Sequence, residues 1–339
     1  MKIGIMGAGS IGCFLAAYLI KAGNEVVMVG RKYQQEALTQ NGLRITTFKG
    51  EDFTINPNKI SYATTPEALA QCSLILLTVK MGNTEEASLQ IKQYASPNTI
   101  IISFQNGINN AEIIKNVFAD VSNMHIWAGM VPYNVINKGN GHFHQGTSGE
   151  LIFEQTPQAE NIKQLLINAK LEAYTAPHMK NVLWGKLMLN LNNAVNALAG
   201  IPISEELNQP LYRKIVANAI KEGLKTLKKA KIKPQKLGKV RPNIIPYILL
   251  LPNGIFQRVA ASMIKIDPQA RSSMWEDLEK KRITEIDYLN GEIVKLAQQY
   301  QLKTPYNTAI VQLIKEAETK KQGSPKMTAK EIMQKIYSI

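Results

Sequence analysis

Residues 1–19 read MKIGIMGAGSIGCFLAAYL. An apolar run passes into Gly7-Ala8-Gly9-Ser10-Ile11-Gly12 and then into an apolar stretch of helical character, which is the order strand, GxGxxG, helix. Each glycine has its own task in that order. Gly7 allows a tight turn, Gly9 lets the backbone approach a pyrophosphate, and Gly12 lets the helix pack closely on the strand. The first-turn N–H groups of the helix then face the phosphates. The stretch predicts a dinucleotide-binding unit with residues 7–12 as its cradle.

Outward from this cradle, residues 25–32 read EVVMVGRK, a second apolar run ending in Gly30 and Arg31. A carboxylate normally stands at this strand end to hold a ribose diol. A guanidinium instead suits a 2′-phosphate, because its planar donors pair with phosphate oxygens. NADPH is therefore expected in preference to NADH or a flavin; the bland reading of Arg31 is a solvated cation at a strand end. SLILLTV and TIIISF are two more strands, apolar at both alternating positions, as in a parallel sheet covered on both faces. Lys80 and Asn106 follow them and fall with Arg31 at carboxyl ends of strands, the rim where open α/β sheets bind ligands. Lys80 would complete a 2′-phosphate clamp or touch the cofactor elsewhere, and Asn106 would reach the nicotinamide end; Asn106-Gly107 is also a common turn. RITTFKGEDFTIN (44–56), with Gly50 at its centre, reads as an added hairpin.

The 339 residues exceed the usual single-domain size. Strands alternate with helical patterns up to about Pro177, and long amphipathic patterns follow. The expected architecture is α/β: a Rossmann domain over residues 1–176, then an all-α substrate domain over 177–339. Residues 1–175 carry 13 Lys+Arg and 13 Asp+Glu, so the whole net charge of +14 lies in the second half. Much of the excess is in LKTLKKAKIKPQKLGKVR (224–241); without aromatic residues between the lysines, it reads as a solvated helix end and loop rather than a nucleic-acid surface, though its field would draw in an acidic substrate. IIPYILLLPNGIF (244–256) is broken by Pro246, Pro252 and Asn253 and reads as a buried helical segment or connector, not a membrane span. The start MKIGIMG has no secretory character, and Cys13 and Cys72 have no paired spacing, so a cytoplasmic, reduced protein is expected. His142 and His144 would share a strand face without further ligands, and no metal site is expected.

In the second half, residues 184–200 (WGKLMLNLNNAVNALAG) read as one helix with an apolar face and, at i, i+4 and i+7, a stripe of Lys186, Asn190 and Asn193. Asparagine is a poor helix former, so four in seven positions argue for a specific polar pocket. In RSSMWEDLEKKRITEIDYLNG (271–291), Ser273 and Glu276 have capping-box spacing, and Glu285 stands four residues after Lys281; the bland readings are an N-cap and a helical ion pair.

GAGSIG, Arg31, TVK, QNG, KLMLN, SSM and TEIDYLNG together, in order over nearly the whole chain, resemble the 2-dehydropantoate 2-reductase (ketopantoate reductase) family. The resemblance implies NADPH-dependent reduction of ketopantoate to pantoate in pantothenate synthesis. It implies Lys186 as proton donor, Glu285 as its partner near the substrate, and Asn106, Asn190 and Ser273 as substrate contacts. Where the family often has a further Asn eight residues after the lysine, this chain has Ala194, with Asn193 one place short; an Asn three before the serine is here Ala270. These departures fall on substrate contacts and leave open a reductase of another 2-keto acid. A regulator that senses NADPH is the reading from another class, and a homodimer is the assembly entertained.

Overall fold

The computed structural model describes residues 1–238, 240–263 and 270–338. Lys239, within the basic stretch 224–241, and residues 264–269 lie outside them. The chain forms two compact units, Met1–Met179 and Lys180–Ile339.

The first unit runs β1 (Lys2–Met6), α1 (Ser10–Lys21), β2 (Glu25–Val29), α2 (Lys32–Asn41), β3 (Leu43–Thr47), β4 (Asp52–Ile55), β5 (Ser61–Ala63), β6 (Leu74–Leu77), α3 (Thr84–Tyr94), β7 (Ile100–Ser103), α4 (Asn110–Val117), β8 (His125–Met130), β9 (Val135–Gly139), β10 (His142–Gln145), β11 (Leu151–Glu154), α5 (Ala159–Asn168) and β12 (Ala173–Ala176). Its main sheet has the order β12-β11-β8-β7-β6-β1-β2-β5, parallel except where β11 meets β8. β1 is central. The chain moves from it to β2 on one side and returns past it to β6 on the other, so the carboxyl ends of β1 and β6 form the switch point where such sheets bind ligands. Successive side chains alternate between faces. Ile3, Ile5, Leu74 and Leu76 pack with Phe14 and Leu15 of α1, while Ile75 and Leu77 pack with Ile91 of α3 and Ile114 of α4. Burial on both faces is why these strands carry no polar alternation.

Residues 44–56 do form a hairpin. β3 and β4 pair antiparallel, with Gly50 at φ +92° in the turn. The hairpin belongs to a second sheet, β4-β3-β10-β9, in which β10 runs parallel to β3. There Thr46 Oγ1 lies 2.8 Å from both His142 Nε2 and His144 Nδ1. Those histidines serve strand pairing.

The helices after β12 are α6 (Met179–Asn190), α7 (Asn192–Ala199), α8 (Ile203–Asn208), α9 (Pro210–Lys229), α10 (Ile245–Leu249), α11 (Asn253–Met263), α12 (Ser273–Glu279), α13 (Asn290–Gln299), α14 (Pro305–Lys320) and α15 (Ala329–Tyr337). Within the second unit α9 packs against α7, α10, α13, α14 and α15. A Cβ on Gly223 would stand 3.0 Å from Met188 Sδ and 3.2 Å from Ile293 Cδ1, so this glycine lets α6 and α13 lie close to α9. The 244–256 stretch departs from expectation. It is helical on either side of Pro252, but Ile244, Tyr247, Leu250 and Ile255 are exposed and only Pro246, Leu249 and Phe256 are buried. A short helix packed along α9 has one face to bury, and the other stays in solvent. No described helix is long and apolar enough to cross a membrane.

Candidate functional site

In the first unit the glycine cradle has the geometry its sequence implies. Gly7 has φ +104°, and a Cβ there would strike the Val79 backbone nitrogen at 2.7 Å. Gly7 and Ala8 N–H both donate to the Val29 carbonyl at 3.0 Å, which ties the loop to the end of β2. A Cβ on Gly12 would come within 2.3 Å of the Gly7 carbonyl oxygen, so helix and strand touch there. Gly9 is different: beyond the adjoining backbone, nothing lies within 4 Å of the position its Cβ would take. It is the N-cap of α1, where no side chain caps the helix and the first turn holds no acid. Open space in front of uncapped amides, on a close-packed base, fits a dinucleotide pyrophosphate.

Arg31 is exposed at the end of β2, as N-cap of α2. The preceding Gly30 has no room for a side chain, since a Cβ would stand 2.3 Å from Tyr62 Oη, and that hydroxyl donates to the Arg31 carbonyl at 3.1 Å. Tyr62 thus holds the backbone from which the guanidinium extends. Lys80 is exposed beyond β6, and Asn106 is half-buried beyond β7. Their loops are joined by residues that sequence reasoning missed. Buried Gln105 donates to the Val79 carbonyl at 2.9 Å and to Thr84 Oγ1 at 2.8 Å, while its own Oε1 accepts from Ser103 Oγ at 2.8 Å. Asn110 Nδ2 donates to the Asn106 carbonyl at 2.6 Å, and its Oδ1 accepts from Thr84 at 3.0 Å. Thr78 Oγ1 donates to the Gly7 carbonyl at 2.7 Å and fastens β6 to the cradle. The neighbours of Lys80 and Asn106 in TVK and QNG were the only local signal for Thr78 and Gln105.

In the second unit the stripe of Lys186, Asn190 and Asn193 does not lie on one continuous helix. α6 ends at Asn190 and α7 begins at Asn192, with Leu191 as the joint, whose N–H still donates to the Leu187 carbonyl at 3.1 Å. Lys186 and Asn190 therefore share α6, and Asn193 belongs to α7. Lys186 keeps some surface accessibility, yet desolvation of its ammonium pushes its pKa down to about 8. Asn190 is buried and Asn193 half-buried; Ala194 is fully buried.

The N-cap of α12 is Ser272 rather than Ser273. Ser272 Oγ accepts from the Trp275 N–H at 3.1 Å and donates to the Asn193 carbonyl at 2.8 Å, so the helix starts one residue earlier than capping-box spacing suggested. Ser273 is the first residue of the helix, half-buried, with its hydroxyl released from capping. The Lys281–Glu285 helical pairing also fails, because α12 ends at Glu279 and Lys281 has φ +53°. Glu285 instead heads a single 3₁₀ turn, Ile286–Tyr288, and is half-buried. Thr284 beside it is held by Glu318, whose Oε1 accepts the Thr284 N–H at 2.7 Å. Among the described residues, no group of three His, Cys, Asp or Glu side chains is placed to hold a metal ion.

Residues 3–158 match the family described as ketopantoate reductase PanE/ApbA, and residues 178–318 match its C-terminal family. The chain is 27% identical to a 2-dehydropantoate 2-reductase of Pyrococcus horikoshii over 335 residues, covering 96% of this chain and 100% of that one. Among solved structures it resembles a PanE/ApbA family ketopantoate reductase from Ralstonia eutropha, with a TM-score of 0.80, 27% identity and coverage of 95% and 100%. It also shares its fold with a D-mandelate dehydrogenase solved with NADH and anilino(oxo)acetate, with a TM-score of 0.79, 22% identity and coverage of 95% and 99%.

Proposed function

The chain belongs to the ketopantoate reductase family of oxidoreductases, and from that premise we propose that it reduces 2-dehydropantoate to pantoate with NADPH. The observation that carries the reading is the desolvated ammonium of Lys186, one helical turn before buried Asn190, in a family of reductases. A cation there stabilises alkoxide charge that develops only in the transition state, and a pKa of about 8 lets it give up a proton near neutral pH. Glu285 orients the ammonium. Ser273, Asn190, Asn193 and Asn106 bind the polar groups of the substrate.

Gly7, Ala8, Gly9, Ser10, Ile11 and Gly12 hold the cofactor pyrophosphate, Arg31 holds its 2′-phosphate, and Lys80 and Asn106 contact it from the neighbouring strand ends. When bound, the nicotinamide supplies the hydride. The exposed guanidinium at the end of β2 supports NADPH over NADH.

A second reading, reduction of another 2-keto acid, is favoured by the fully buried Ala194 where the family often has an Asn. The similarity to a mandelate dehydrogenase supports the same alternative. NADPH oxidation measured against a panel containing ketopantoate, phenylglyoxylate and unbranched 2-keto acids tests both. Ketopantoate is expected to give the highest kcat/KM; a hundredfold preference for another acid overturns the assignment, and no turnover of any 2-keto acid overturns the reaction class.

A further inference from the structure

Behind the start of α12 lies a buried polar chain that the proposed chemistry does not use. Glu206 of α8 is 0% exposed, and its Oε2 accepts from Asn196 Nδ2 at 2.7 Å. Asn196, also fully buried, donates to the Ile201 carbonyl at 2.9 Å, and its Oδ1 accepts the Ser272 N–H at 2.8 Å. Ser272 in turn is bonded to the Asn193 carbonyl and caps α12, while the Ile203 N–H donates to the Ala270 carbonyl at 2.9 Å. Three segments distant in sequence, α7, α8 and residues 270–273, thus meet through one carboxyl and one amide.

The other half of that carboxyl is informative. Glu206 Oε1 and Asn192 Oδ1 are buried and no hydrogen bond is formed by either atom among the described residues, while the Asn192 side chain reaches the carboxyl and, like that of Asn196, acts against the burial that raises its pKa. No described salt bridge involves Glu206. Arg213 of the adjoining helix spends its donors on the carbonyls of Leu207, Leu249 and Leu251 and on Asn253 Oδ1. An unpaired buried carboxylate is costly, whereas a carboxylic acid carries no charge and still accepts from Asn196.

We propose that Glu206 is a positioning residue: its Oε2 accepts from Asn196, its carboxyl is met by the Asn192 side chain, and through Asn196 and Ser272 it sets the start of α12 so that Ser273 meets the carboxylate of the 2-keto acid. Burial pushes the Glu206 pKa up to about 8, in keeping with a protonated group at neutral pH. The substrate half of this inference rests on the 2-keto acid reading; the structural half does not.

Glu206→Gln replaces the O–H by an N–H and retains the acceptor, whereas Glu206→Leu removes both. Hydrogen exchange of the Ser272 amide in the unliganded protein is expected to match wild type in the Gln variant and to speed up about tenfold or more in the Leu variant, for the loss of one buried hydrogen-bonded link. In steady state the Leu variant should raise KM for the 2-keto acid about tenfold while kcat and the NADPH Kd stay within about threefold, with the Gln variant near wild type. Asn192→Ala, at a half-buried position, is the second variant should Glu206→Leu not fold, and it should shift exchange and KM in the same direction. Wild-type exchange at Ser272 in folded Glu206→Leu or in Asn192→Ala overturns the proposal, as does a Gln variant as impaired as the Leu variant. If wild type turns over no 2-keto acid, the functional reading has failed, and the exchange measurement still decides the linkage.

Discussion

Gly185 lies directly against Gln235: a Cβ on Gly185 would stand 2.3 Å from the Gln235 carbonyl oxygen, and the Gln235 N–H donates to the Asn181 carbonyl at 2.8 Å. The chain leaving α9 is thereby strapped across α6 one residue before Lys186. Within the basic stretch 224–241, this contact gives the loop a structural task.

Gly185→Ala is accordingly expected to destabilise the protein by about 1–3 kcal/mol, the usual cost of forcing extra volume into a packed contact. Urea unfolding measures it. An unchanged midpoint would show that the strap yields freely and has no hold on α6.

Gly9 and Gly12 separate cofactor binding from folding. A Cβ at Gly9 enters open space, so Gly9→Ala should leave the unfolding midpoint near wild type and weaken NADPH in a fluorescence titration. Gly12→Ala puts a methyl 2.3 Å from the Gly7 carbonyl and should impair the fold itself. Equal loss of stability in the two variants would contradict the contrast.

Arg31→Asp tests the phosphate contact. Loss of one charge-assisted hydrogen bond should cost NADPH about 1.5–3 kcal/mol, roughly tenfold or more in affinity, with little change for NADH. Equal wild-type affinities for NADH and NADPH would remove the premise.

Lys186→Met should retain NADPH binding and lower kcat by about 10²–10⁴-fold, the usual contribution of general acid catalysis. Desolvation lowers the Lys186 pKa to about 8, so the group holds its proton below that pH and loses it above. Wild-type kcat should therefore be level on the acid side and fall as pH rises through about 8. Glu206 also titrates near pH 8, so the profile is repeated in Glu206→Gln, where the fall should persist. A kcat that does not decline above pH 8 would rule out Lys186 as the acid. Glu285→Gln should act on the same step, so that the double variant loses much less than the product of the single losses.

What could be read from the chain alone was whatever depends on neighbours in sequence. Strand, GxGxxG and helix follow one another within residues 2–21, and the tasks of Gly7 and Gly12 are dictated by backbone geometry over a few residues. Unbroken apolar runs announced strands covered on both faces, and the 44–56 hairpin announced its own turn. The position of Arg31 followed from the βαβ register. Tertiary structure decided what distant segments offer one another. The parallel pairing of β10 with β3 joins residues almost a hundred apart. Ser272 displaced Ser273 as the cap because the Asn193 carbonyl and Asn196 Oδ1 arrive from α7 to receive it. Gln105 bridges two strand ends only because β6 and β7 are neighbours in the sheet. A buried donor or acceptor must find a partner wherever packing puts one, and hydrophobic periodicity, which says which face is inside, carries no record of which polar group from the rest of the chain will meet it there.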